Sequence, residues 1–121
     1  MTTNIIFSRY MRTILPYKTN KTLHSHDYWQ LDFIHKGNIN IILENEEFTV
    51  NENQILLIKP NIKHVYLYNN KITQSNIKFS LSIPINFINN YILININNKQ
   101  KKLLNSFFKY LKKNLIYQKT I

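Results

Sequence analysis

Along most of the chain, apolar residues alternate with polar ones or cluster in short runs, and Gly, Pro and Asn interrupt them. That is the pattern of strands and turns rather than of helices. Residues 4–20 read as an N-terminal arm with one or two short strands, and Pro16 belongs at an edge or turn because it cannot donate to an interior ladder. A short strand over Thr22–His26 leads into a longer one over Tyr28–Lys36, closed by Gly37-Asn38, both tolerant of positive φ. Ile39–Glu44 and Glu47–Val50 flank Asn45-Glu46, a two-residue hairpin. Gln54–Ile58 is a continuous apolar run of buried-strand length, Pro60-Asn61 turns the chain, His64–Tyr68 alternates again, and Ser75–Ile83 is a further strand. Seven to nine such strands predict an all-β sandwich or barrel, and a parallel α/β plan is excluded because no helix separates them.

The period changes near the end. From Lys99 to Gln118 the apolar residues Leu103, Leu104, Phe107, Phe108, Leu111, Leu115 and Ile116 follow helical spacing, with lysines on the other face. Phe87–Ile96 is expected to contain a short helix beginning after Pro84. The division is then an arm and barrel over residues 1–83 and a helical segment over 84–121.

The chain has 121 residues, one domain's worth, and no cysteine, which excludes disulfides and thiolate metal sites. Met1–Ser8 lacks the pattern of a secretory signal, and Ile83–Ile96 is too short and too rich in Asn to span a bilayer. A soluble cytoplasmic protein without membrane contact is the expectation. The formal charge is +10, unevenly spread: all six acids lie between Asp27 and Glu52, and seven lysines follow from Lys99 onward. A basic tail can contact nucleic acid, but Asn, Ile and Lys dominate the whole chain, so bias in composition accounts for most of these lysines.

Candidate chemistry concentrates in His24-Ser25-His26-Asp27-Tyr28-Trp29-Gln30-Leu31-Asp32-Phe33-Ile34-His35-Lys36-Gly37. Extended residues two apart share a face, so His24, His26, Gln30, Asp32 and Ile34 point one way and Trp29, Leu31, Phe33 and His35 the other. One face is polar and the other bulky and apolar, as in a strand lining a cavity. His35 is then structural or at the surface, and Trp29 and Phe33 belong to the core or an interface rather than to a cofactor site.

This stretch and Asn53–His64 resemble the two motifs of the cupin superfamily. His24, His26, Gln30 and Gly37 fit the first motif's spacing, with Gln30 in the place of Glu. Asn53, Lys59, Asn61 and His64 fall at the second motif's spacing, with Lys59 in the place of Pro and asparagines at both glycine places, where Asn is the best substitute at positive φ. The resemblance runs from about Thr22 to Tyr68. The wording is closest to the sensor domain of AraC-type transcription regulators, as is the order of arm, barrel and helical segment.

That resemblance implies a cupin-type double-stranded β-helix (a jelly-roll barrel) followed by an amphipathic helical segment, and a regulatory rather than an enzymatic role. It implies a small polar, sugar-like effector in the barrel, bound by His24, His26, Gln30, Asp32, His64 and Tyr66, with Tyr68 nearby and Arg9 or Tyr10 closing over it. It also implies a homodimer through the last helix (Leu104, Phe107, Phe108, Leu111, Leu115), and DNA contact only through a helix-turn-helix part absent from this chain. No cofactor is needed. The alternative is a stand-alone metal-dependent dioxygenase or isomerase, with His24, His26, Gln30 and His64 on one divalent transition metal. A plainer alternative is that the histidines satisfy one another or water, and that the helix simply packs on the sheet.

Overall fold

The computed structural model describes residues 3–82 and 89–114. Eight strands and one helix are present among the described residues: β1 (Thr3–Ile14), β2 (Trp29–Lys36), β3 (Ile39–Leu43), β4 (Glu46–Val50), β5 (Gln54–Ile58), β6 (His64–Leu67), β7 (Ile72–Leu81), β8 (Tyr91–Asn95) and α1 (Asn98–Asn114). The strands form a five-stranded sheet in the order β1-β7-β2-β5-β8 and a three-stranded sheet in the order β4-β3-β6, and every pairing is antiparallel. This is a cupin-like β-barrel followed by a helix.

Alternation along each strand builds the barrel interior. Ile34, Ile39, Ile41, Leu43, Val50, Leu56, Ile58 and Ile72 form the buried core between the sheets, with Ile14 at its edge. Each such side chain contributes roughly 1.5–3 kcal/mol by leaving water. Tight turns hold the register. Gly37 adopts φ 82 and donates its N–H to Glu52 Oε1 at 2.9 Å, while Asn53 and Asn61 adopt φ 63 and 65. Both asparagines therefore do the backbone work that the motifs assign to glycine.

The opposite face of the five-stranded sheet carries α1. An Asn97–Gln100 capping box starts the helix: Gln100 N–H donates to Asn97 Oδ1 at 2.8 Å and Asn97 N–H to Gln100 Oε1 at 2.9 Å. Leu104, Phe108 and Leu111 then pack with Ile77, Ile5, Tyr10, Leu31 and Phe79. Of the residues expected to form a dimer helix, these three face the sheet. Phe107 is 45% exposed beside exposed Leu103 and Tyr110, and Leu115 lies outside the described residues.

Four local expectations are corrected. The arm is one long edge strand, β1, because β7 offers it a full-length partner. The expected strand over Thr22–His26 reduces to a single bridge between His24 and His64, because His26 gives its carbonyl to Asn61 instead. The β3–β4 turn is Glu44-Asn45, one residue earlier than expected, because Leu43 pairs with Glu46 and Glu44 takes φ 53. The expected helix over Phe87–Ile96 is, in its described part, strand β8: its alternating Tyr91 and Leu93 seal the core along the open edge of β5. The sheet thus runs beyond residue 83, and residues 87 and 88 lie outside the described ones.

Candidate functional site

The barrel opens on a cavity of about 490 Å³, within the range of small-molecule sites. β2 contributes Gln30, β6 contributes His64 and Tyr66, and β7 contributes Gln74, Asn76 and Lys78. The segment between β1 and β2 crosses the mouth and contributes Tyr17, Lys18, His24 and His26.

Backbone pairing brings the three histidines together. His24 and His64 exchange both main-chain hydrogen bonds, at 3.0 and 2.8 Å, and Asn61 N–H donates to the His26 carbonyl at 2.6 Å. The rings consequently lie 4.9 Å apart for His24–His26 and His24–His64, and 5.5 Å apart for His26–His64. One ring nitrogen from each falls within 4.8 Å of the other two. His64 Nδ1 lies 2.8 Å from the Ile62 carbonyl, which can only accept, so Nδ1 carries the proton and Nε2 presents its lone pair. Burial above all, with repulsion from the other two rings when they are protonated and from Lys78, lowers the pKa of His26 to about 4. Burial also lowers that of His64, against its bond to Ile62. At neutral pH these two rings are uncharged.

A second polar group forms the floor. Gln30 Nε2 donates to Asp32 Oδ2 at 3.0 Å and to Tyr66 Oη at 2.6 Å, and the Tyr66 hydroxyl donates to the same carboxylate oxygen. Burial pushes the Asp32 carboxyl up to about 6, opposed by hydrogen bonds from Tyr66 and Gln30 and by Lys78. Burial and the neighbouring Asp32 raise Tyr66 well above the ordinary phenol range. Gln30 commits its amide nitrogen here, so its oxygen is the atom it can offer to a ligand.

The structure therefore brings His24, His26, Gln30, His64 and Tyr66 to one cavity, with Tyr68 beside them, and places Asp32 beneath its wall. Arg9 does not join the lining. Its guanidinium lies over the Phe7 ring, 5.2 Å from the centroid. Tyr10 stacks on Phe108, on the helix side. The arm residue that does reach the cavity is Arg12. β1 gains one residue relative to β7 between Arg9 (opposite Asn76) and Arg12 (opposite Gln74), and Met11 takes φ 55 within this bulge. Strict alternation from Arg9 would have turned Met11 inward; the bulge substitutes Arg12. Sequence reasoning also missed Tyr17, Lys18, Gln74, Asn76 and Lys78. The even parity of Asn76 and Lys78 on an alternating strand was a usable signal, whereas nothing in the sequence marks the bulge. His35 is structural, buried and 2.7 Å from Ser75 Oγ through its Nε2.

The cluster fits a divalent transition metal, which His24, His26 and His64 would hold through imidazole nitrogen. When bound, such an ion supplies a Lewis acid with open coordination positions.

A cupin-type barrel whose open end gathers polar side chains around a cavity of this size is a ligand-binding domain. The sequence matches the family model "AraC-like ligand binding domain" over residues 16–87, more than half of the chain, and the chain belongs to that family. No curated protein matches it in sequence. Among solved structures it is similar to ToxT from Vibrio cholerae bound to (E)-4-(8-methylnaphthalen-1-yl)but-3-enoic acid, with TM-score 0.55 and 16% identity, covering 97% of this chain and 50% of that one. It is likewise similar to wild-type ToxT with an unsaturated fatty acid bound, with TM-score 0.54 and 15% identity, covering 89% and 45%. The chain spans about half the length of these ToxT structures. No helix among the described residues is long and apolar enough to cross a membrane.

Proposed function

We propose that this chain is the effector-sensing and dimerisation domain of an AraC-type transcription regulator acting in the cytoplasm. The observation that carries the reading is the cavity itself, where His24, His26, Gln30, His64 and Tyr66 converge on a space of about 490 Å³. The effector is small, polar and sugar-like, held by hydrogen bonds to imidazole, amide and phenol groups, with the stacked Tyr17 and Tyr68 rings (5.1 Å apart) as an aromatic wall. Asp32 and Tyr66 hold the Gln30 amide in place. An effector that binds one arrangement of the domain more tightly shifts its population, and DNA is reached through a helix-turn-helix part outside these 121 residues. Two copies pair through the open side of α1, where Phe107 lies exposed beside Leu103 and Tyr110.

A thermal-shift screen of small sugars and other polar ligands tests the site, run on the unaltered protein and on His64→Ala. A compound that raises Tm only in the unaltered protein supports the cavity. If no compound distinguishes the two, the effector reading fails.

The three-histidine cluster favours a second reading, in which His24, His26, Gln30 and His64 hold a divalent metal in a metal-dependent dioxygenase or isomerase. Elemental analysis decides it. Stoichiometric metal that is lost in His64→Ala supports the metal site, and metal-free protein stabilised by a small organic ligand rejects it.

A further inference from the structure

We infer, on the reading of this cavity as an effector site, that Ser75 is a positioning residue acting from outside its lining. Backed by His35, the Ser75 hydroxyl fixes where β1 bulges, and so selects Arg12 over Met11 as the side chain presented to the effector.

The register of β1 requires a bulge but leaves its place open. Arg9 stands opposite Asn76 in the cavity wall, and Ile14 stands opposite Ile72 in the core. Five positions lead from Arg9 to Ile14 but only four from Asn76 to Ile72, so one extra residue must be absorbed between them. A bulge at Tyr10-Met11, the observed one, turns Arg12 inward. A bulge at Arg12-Thr13 would turn Met11 inward instead and still return Ile14 to the core. Local backbone preference does not favour the observed place, because it holds Met11 at φ 55, where a side chain is strained.

Ser75 supplies what does favour it. It lies opposite Phe33, on the helix side of the sheet, between the two β7 residues that pair with Arg9 and Arg12. The bulge takes the Met11 N–H out of the ladder, and that group donates to Ser75 Oγ at 2.9 Å. A hydroxyl oxygen that accepts there has its own proton to give, and His35 Nε2, 2.7 Å away, takes it. His35 is itself the extra residue of β2 against β7, between Ile34 (opposite Gln74) and Lys36 (opposite Thr73). Its ring is held edge-on by Phe33 and Tyr10, at 4.6 and 6.2 Å between centroids. One hydroxyl thus joins the bulges on either side of β7. Moving the bulge to Arg12-Thr13 would withdraw the Met11 N–H from an oxygen that is closed to water, since Ser75 is 0% exposed.

The test needs no ligand, so its outcome is separate from that of the effector screen. Met11 is one of only two methionines, and isotope labelling of methionine methyl groups lets it be followed by NMR in the full chain. In the unaltered protein the Met11 methyl should be broadened by a soluble gadolinium chelate, its side chain being 46% exposed. Arg12 should show through-space contacts with Tyr68, the phenol on which its charge acts. Ser75→Ala should shift the balance between the two bulge positions about tenfold towards inward Met11. The broadening then falls, and the Met11 methyl gains contacts with Tyr68 as those of Arg12 fade. Ser75→Cys, which fills the same space with a poor acceptor, should do likewise, whereas Ser80→Ala, elsewhere on β7, should not. Deleting Met11 removes the extra residue, so in that deletion Arg12 should keep its contacts with Tyr68 whether position 75 is Ser or Ala. Circular dichroism establishes that each variant folds. Met11 and Arg12 unmoved in folded Ser75→Ala and Ser75→Cys overturn the inference. So do Arg12 contacts that are lost in Ser75→Ala and not recovered on deleting Met11, the mark of general loosening rather than positioning. Failure of every compound in the thermal-shift screen would reject the effector reading and leave this placement of Arg12 standing.

Discussion

Asp32→Asn should make the protein more stable at neutral pH, and the size of the gain follows from where the carboxyl sits. Asp32 is 3% exposed, and burial raises its pKa from the ordinary 3.8 to about 6. The folded state therefore holds the Asp32 proton to higher pH than the unfolded chain does. Between about pH 4 and 6 the native state binds more protons, so this group's contribution to stability falls as pH rises and stays low above that window. A rise from 3.8 to about 6 corresponds to about 3 kcal/mol. Asparagine carries no charge, and its Oδ1 can still accept from Tyr66 and Gln30 in the place of Asp32 Oδ2. The stability difference between Asp32→Asn and the unaltered protein should thus grow by about 2.4 kcal/mol between pH 4 and pH 7. His26 and His35 act in the opposite sense. Burial lowers both pKa values from 6.5 to about 4, so their contribution is present above 6.5 and is lost as pH falls towards 4. Both proteins share these two groups, and they cancel in the difference. Urea unfolding followed by fluorescence of Trp29, the only tryptophan in the chain, measures it. A difference that does not change with pH would refute the burial argument.

Five further substitutions, at four positions, address the frame around the cavity and the seat of α1, each read by denaturant unfolding. Asn61→Gly should leave stability within about 0.5 kcal/mol, whereas Asn61→Val should cost about 1–2 kcal/mol, because a branched side chain resists the left-handed φ of 65. Gly37→Ala should cost about 2–4 kcal/mol, since the residue sits at φ 82 and an added Cβ would lie 2.5 Å from the Lys71 carbonyl oxygen. Phe108→Ala should cost about 3–5 kcal/mol by emptying the seat of α1 against Tyr10 and Ile77. Phe107→Ala, one residue away on the exposed face, should change monomer stability by no more than about 0.5 kcal/mol while weakening any pairing through α1.

The barrel was legible because its information is local. Alternation sorted Gln30, Asp32 and Ile34 from Leu31, Phe33 and His35, and the two faces of β2 divide in that way between the barrel interior and the helix side. The spacing of His24, His26 and His64 was legible too, because Asn53 and Asn61 could be recognised as residues able to replace glycine. What escaped depends on partners far along the chain. β1 is long because β7 lies beside it, and β8 is a strand because β5 has an open edge, neither of which can be read within a short window. The cations of the cavity escaped for the same reason. Arg12 becomes an interior residue through one extra position in β1, and Lys78 matters only once Phe7 and Gln30 stand on either side of it.

That extra position also ties both faces of the sheet to the backbone of Met11. On one side of the bulge Tyr10 reaches outward to Phe108, and on the other Arg12 reaches inward to the cavity. Straightening the strand without losing a residue would turn Met11 to the cavity wall in place of Arg12, or else slide Tyr10 off its place under the helix, whereas deleting Met11 itself would leave both where they are. The backbone conformation of one edge-strand residue thus sets the charge of the pocket and the footing of α1 together.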